Sequence, residues 1–143
     1  MRTEKYSIVM DSYAWIEYFA GTAIGEIVKK YMMNSVDVYT PSIVLAEIAR
    51  KYVREGVSWS TVEERIRVIE KLSIIIHIDS RIALETARAY IELVNHAKES
   101  GYRLKPSLTN AIVYAVAKIM DAMIVSGDEH FRDLDNVLWL KTR

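Results

Sequence analysis

Four positions in this chain carry side chains whose oxygens could work together. Asp11 ends the apolar run Tyr6–Met10, and Asp128 closes Ile124-Val125-Ser126-Gly127. Glu47 sits among Ile43, Val44, Ala46, Ile48 and Ala49, and Asn110 follows Pro106-Ser107-Leu108-Thr109. Carboxylate and amide oxygens are hard donors that suit Mg²⁺ or Mn²⁺. Carboxylates gathered at one point would repel one another without a cation. A bound cation acidifies a water and neutralises charge as that water attacks phosphorus. Taken singly, each position has a plainer explanation. Asp11 can cap a helix beginning at Ser12, and Asp128 can start a turn before Phe131. Glu47 can pair with Arg50 or Lys51 at helical spacing, and Asn110 can belong to helix-start chemistry with Ser107 or Thr109.

The elements that must position these residues alternate along the chain. Tyr6–Met10 predicts a strand, and Ser12–Ala20 and Ala23–Met33 predict helices separated by Gly21. Val36–Thr40 predicts a second strand, cut off by Pro41 ahead of a helix over Ser42–Arg54. Ser60-Thr61-Val62-Glu63 has the spacing of a capping box and should open a helix running to Lys71. The β-branched run Ser73–Ile78 predicts a buried parallel strand. A long helix from Asp79 to Ser100 ends at Gly101, and Leu108–Met120 forms another. Ala122–Val125 and Val137–Leu140 complete the strands. This rhythm predicts an α/β fold with a parallel sheet sandwiched by helices. In such sheets the ligand crevice lies beyond the carboxyl ends of the strands, where strand order reverses. Asp11 and Ser126-Gly127-Asp128 stand at two such ends.

Composition narrows the classes further. A length of 143 residues suits one domain spanning 1–143, and no repeat, linker or compositional break divides it. The chain is 51% hydrophobic with 2 Pro and 5 Gly, which excludes a disordered or collagenous chain. Its 0 Cys excludes disulfide scaffolds, thiolate zinc sites and cysteine nucleophiles. With 19 Lys+Arg against 19 Asp+Glu there is no global basic field, so a polyanion must be held by a local patch or by metal. The runs Ser7–Met10 and Ala111–Ala117 are too short for a leader or a membrane span. A soluble, cytoplasmic protein is the expectation.

As a set, these motifs resemble the PIN-domain ribonucleases, especially the VapC-type toxins of prokaryotic toxin–antitoxin pairs. The resemblance rests on Met10-Asp11-Ser12 after a strand, on Glu47 in Pro-Ser-Ile-Val-Leu-Ala-Glu-Ile and on Leu-Thr-Asn-Ala-Ile-Val-Tyr-Ala-Val-Ala. Ile-Val-Ser-Gly-Asp-Glu-His-Phe completes it. It implies a three-layer sandwich with a parallel sheet of about five strands in the order 3-2-1-4-5. It also implies that positions 11, 47, 110 and 128 bind Mg²⁺ or Mn²⁺ and carry catalysis, supported by the hydroxyls of Ser126 and Ser12. The implied activity is endonucleolytic hydrolysis of RNA to 5′-phosphate and 3′-hydroxyl ends. The implied partners are RNA, a cognate small antitoxin and a second copy in a homodimer. Position 110 departs from the pattern. The family ordinarily has Asp there, and Asn110 removes one negative charge while keeping a carbonyl oxygen.

Other residues have secondary interest. Arg50, Lys51, Arg54, Arg103, Lys105 and Arg132 could hold phosphates or form ordinary solvated faces. Tyr13 and Trp15 could stack bases or pack in a core. His77, His96 and His130 show no paired metal-ligand spacing, and His130, close to Asp128, is the one that merits a mutation. Two rival classes fit poorly. Met10-Asp11-Ser12 lacks the acidic pair of a phospho-receiver domain, and the chain has neither G-x-x-x-x-G-K nor G-x-G-x-x-G for a nucleotide-binding module. The remaining alternative is a catalytically weak or inactive protein of the same fold that binds RNA or an antitoxin.

Overall fold

A computed structural model describes residues 5–141. The strands β1 (Ile8–Met10), β2 (Val38–Pro41), β3 (Ile74–Ile76), β4 (Met123–Ser126) and β5 (Val137–Trp139) form one sheet. Its order is β3-β2-β1-β4-β5, and every neighbouring pair is parallel. Parallel pairing requires a crossover between successive strands, which puts helices on the sheet faces and buries the middle strands on both sides. Ile8, Val9 and Met10 of the central strand are accordingly fully buried.

Six helices flank the sheet among the described residues: α1 (Ser12–Ala20), α2 (Ala23–Asn34), α3 (Ser42–Arg54), α4 (Trp59–Leu72), α5 (Ser80–Ser100) and α6 (Leu108–Ile119). The helix α6 packs on β1, β2 and β4 as well as on α3 and α5. That position explains its composition, because Ala111 through Ala117 are all buried and only an apolar helix can sit there. Gly25 in α2 faces the α1 backbone so closely that a Cβ would stand 2.1 Å from Glu17 O. Only a residue without a side chain lets α1 and α2 meet there.

Local signals are met in most places. Gly21 and Gly101 end α1 and α5 with φ of 65° and 78°, the left-handed region that glycine enters without a steric cost. Asp79 caps α5 by accepting from the Ile82 N–H at 2.9 Å. Two expectations need correction. The cap of α4 is Ser58 rather than Ser60, because its hydroxyl accepts from the Thr61 N–H and the helix therefore begins at Trp59. The β-branched run at 73–78 contributes only three residues, and they form a partly exposed strand rather than a buried one. Ile74 there is 49% exposed.

Between β1 and β4 the chain direction of travel across the sheet reverses. β2 and β3 lie on one side of β1, and β4 and β5 on the other. Register places Met10 beside Val125, so Asp11, just past the end of β1, and Ser126, the last residue of β4, stand side by side.

Candidate metal and nucleic-acid site

Asp11, at the end of β1, caps α1. Its Oδ1 accepts the Ala14 N–H at 2.9 Å, while its Oδ2 accepts the hydroxyl of Ser126. Asp128 repeats this division of labour. Its Oδ1 accepts the His130 N–H at 2.9 Å, opening a 3-10 turn over Glu129–Phe131, and its Oδ2 accepts from Asn110 Nδ2 at 3.1 Å. The plain capping explanations are therefore correct, and they leave the second oxygen of each acid free to join a wider network. Ser126 links the two acids, because its Oγ also accepts the Asp128 N–H at 2.9 Å.

Asn110 connects this network to α6. Its Oδ1 accepts from both the backbone N–H and the hydroxyl of Ser107, each at 2.9 Å, while its own N–H donates to Ser107 Oγ at 3.0 Å. An N–H of Ser107 needs an acceptor, which fixes the amide orientation and turns the NH₂ toward Asp128. The oxygen expected as a metal ligand thus takes part in a capping box. Asn110 contributes a donor to the site in place of a negative charge.

Glu47 enters from α3. Its Oε1 accepts the Ser12 hydroxyl at 2.5 Å. Of the two cations considered for it, Arg50 and Lys51, Lys51 pairs with Glu55 at 3.1 Å. Glu47 and Asp128 both act electrostatically on Asp11, so residues 11, 47 and 128 share one region of space. Burial pushes the Asp11 carboxyl up to about 7, and repulsion from Asp128 and Glu47 adds to this. The hydrogen bonds from Ser126 and Ala14 oppose it. Asp11 is a buried acid with like charges as neighbours, the electrostatic setting in which a cation would be favoured. Among the described residues, however, no three His, Cys, Asp or Glu side chains stand at metal-ligating spacing.

Beside these acids runs an open groove of about 680 Å³, lined in part by Ser12, Tyr13, Lys51, Asp128, His130 and Lys141. Trp15 is not part of it. Its ring is fully buried and its Nε1–H donates to Thr40 Oγ1 at 3.0 Å, so it packs in the core and stacks on no ligand. Arg132 turns to Glu129 at 3.5 Å and to the Trp139 ring at 5.9 Å. His96 binds the Arg132 carbonyl at 2.6 Å, away from the acids. Sequence reasoning missed Lys141 and the part played by Gly127. The signal for the glycine was its place between two polar site positions.

Residues 8–137 match the PIN domain family. The chain belongs to that family. Solved structures agree on this PIN fold. A toxin–antitoxin complex from Klebsiella pneumoniae superposes with a TM-score of 0.65 at 18% identity, covering 94% of this chain and 98% of the other. VapBC2 from Rickettsia felis, bound to a promoter DNA fragment, gives 0.65 at 13% identity, covering 93% and 96%. VapC20 from Mycobacterium tuberculosis, described as a toxin that cleaves the sarcin–ricin loop, gives 0.56 at 18% identity, covering 78% and 82%. No curated protein sequence matches the chain. No helix of this PIN chain is long and apolar enough among the described residues to cross a membrane.

Proposed function

We propose that this PIN-domain protein is a divalent-metal-dependent endoribonuclease and the toxin of a toxin–antitoxin pair. PIN nucleases as a family generally use divalent metal ions. The observation that carries the proposal is the gathering of Asp11, Asp128 and Glu47 at the sheet's switch point. The acid at its centre is buried and raised to about 7 by desolvation first and by its acidic neighbours after that. A structural cap alone does not call for a second and third carboxylate.

Asp11 and Asp128 would hold Mg²⁺ or Mn²⁺, with Glu47 adding charge, and Mg²⁺ typically takes only one or two carboxylates plus waters. The chemistry such an ion supplies when bound is an acidified water and neutralised charge at phosphorus. The chain's own residues supply orientation. Ser126 ties Asp11 Oδ2 and the Asp128 backbone together through one hydroxyl, so the two acids cannot separate without breaking one of these bonds. Asn110 and the His130 N–H fix Asp128 from two sides. Ser12 aims Glu47 inward from a neighbouring helix. RNA lying in the groove would present a phosphodiester to this corner, leaving 5′-phosphate and 3′-hydroxyl ends.

The toxin role draws on the fold neighbours that are toxin–antitoxin complexes. A small antitoxin covering the acidic corner would inhibit by excluding RNA. An RNA substrate implies work in the cytoplasm. The exposed Leu84 and Ile91, seven residues apart on α5, offer one apolar face to a second copy, and a homodimer should scatter light as twice the chain mass.

The competing proposal is a binding module with little or no catalysis, favoured by the commitment of Asn110 Oδ1 to Ser107. Incubation of the purified chain with labelled single-stranded RNA and Mn²⁺ separates the two. Cleavage that stops with chelator and with Asp11→Asn or Asp128→Asn supports the enzyme. RNA left intact by the folded chain at saturating Mn²⁺ contradicts it.

A further inference from the structure

The groove beside the acids carries its own electrostatic problem. Asp128, Glu17 and Glu129 line it, and each would repel an RNA backbone. The chain as a whole is neutral, so attraction must come from particular cations. Lys51 lines the groove but is paired with Glu55 at 3.1 Å. Lys141 also lines it and, among the described residues, is paired with no carboxylate.

Lys141 is held by a chain of contacts that leads to the acids. Its Nζ lies 5.1 Å from the centroid of the Tyr13 ring, within the range of a cation–π contact. The Tyr13 ring rests on Gly127, where a Cβ would stand 2.6 Å from Cε1 and 2.7 Å from Cζ. A side chain at 127 would displace the ring, and with it the ammonium. Gly127 lies between Ser126 and Asp128, so the seat of Tyr13 is fixed to the same backbone as the candidate metal site. The main chain adds a second tether, because the Leu140 N–H donates to Ser126 O at 3.0 Å and delivers residue 141 to the groove.

We propose that Lys141, held over Tyr13 on the bare backbone of Gly127, is the phosphate-binding cation of the groove, and that its ligand is the backbone of single-stranded RNA. This rests on the RNA-cleaving reading above and names the residue that positions the substrate. A lysine free in solvent would serve poorly, since it must lose its rotamer freedom on meeting a phosphate. Contact with the ring restricts it beforehand. The plainer role for the pair is to pin the end of β5, and the two roles differ in salt dependence. Each phosphate neutralised on a single strand contributes a slope of about −0.7 to log affinity against log salt.

The test is fluorescence anisotropy of a labelled single-stranded RNA oligonucleotide with the full chain in chelator, so that no strand is cut, across a salt series. Lys141→Gln should weaken binding about tenfold at low salt and flatten the slope by about 0.7, whereas Lys141→Arg should keep both. Tyr13→Leu, which removes the ring but leaves the ammonium, should give an intermediate loss with the slope retained. If the wild type binds and Lys141→Gln matches it in affinity and slope, the assignment of Lys141 is overturned while the nuclease proposal stands. If the wild type binds no RNA at any salt concentration in chelator, the assignment of Lys141 is overturned, and the nuclease reading is judged separately by cleavage at saturating Mn²⁺.

Discussion

The side-chain amide of Asn110 donates to Asp128 Oδ2 at 3.1 Å, where an aspartate would place a second negative charge. Asn110 thus quiets the repulsion that would otherwise draw in a cation. Asn110→Asp should lose that bond and lower the stability of the metal-free chain. It should bind Mn²⁺ about tenfold more tightly, because an added carboxylate within a few ångströms favours a divalent ion. RNA cleavage should rise with it. Calorimetry with Mn²⁺ checks the affinity, and an unchanged dissociation constant would count against the account.

Ser126 is fully buried and bonds to both acids, accepting from the Asp128 N–H at 2.9 Å and donating to Asp11 Oδ2. Ser126→Ala leaves that N–H and that oxygen without partners, which should cost about 1–3 kcal/mol. Denaturant unfolding measures the loss. A change within a few tenths of a kcal/mol would mean that the bridge is not maintained in solution.

The pH dependence of the metal-free chain follows from Asp11, whose carboxyl is raised from 3.8 to about 7 by burial and then by Asp128 and Glu47. Between those values the folded chain holds a proton that the unfolded chain has released, so its stability must fall as pH rises. The contribution is fully present below about 4 and lost through about 7, with an upper bound of roughly 4 kcal/mol. Asp11→Asn should flatten this part of the profile. Denaturation midpoints between pH 4 and 8 decide it, and a wild-type stability that rises across that window would contradict the burial of this acid.

A buried relay whose residues do not line the groove provides a contrast. Trp15 Nε1–H donates to Thr40 Oγ1 at 3.0 Å, Thr40 donates to Ser73 Oγ at 2.8 Å, and Ser73 donates to Ile69 O at 2.7 Å. Thr40→Val should cost about 1–3 kcal/mol by orphaning the indole N–H, while the Ser73 hydroxyl keeps its bond to Ile69 O. RNA binding at temperatures where the chain is folded should not change. A loss of binding without a loss of stability would show that the relay reaches the groove.

The sheet was legible because period and punctuation agree in this chain. Apolar triplets end at Asp11 and Ser126, and glycine or a cap residue bounds most helices. The exposure of β3 was not legible, since Ile74-Ile75-Ile76 reads like a buried strand and only the tertiary arrangement leaves Ile74 half-exposed. The choice between Ser58 and Ser60 as a cap was also invisible, because both hydroxyls precede an apolar run. At the site, residue types showed which side chains could gather but not how their oxygens are shared. The amide of Asn110 could face a cation or a capping box, and only the Ser107 N–H decides. Lys141 was hidden for a different reason. Its partner, Tyr13, lies at the far end of the chain, and the seat of the Tyr13 ring exists only because Gly127 has no Cβ.

The most direct measurement is an isothermal titration of Mn²⁺ into the folded wild-type chain and into Asp128→Asn. The account predicts a saturable heat in the wild type that is lost or weakened at least tenfold in the variant, since one of two charged ligands is gone. A wild-type titration showing only dilution heat, or equal binding by both proteins, would contradict a cation site between Asp11 and Asp128.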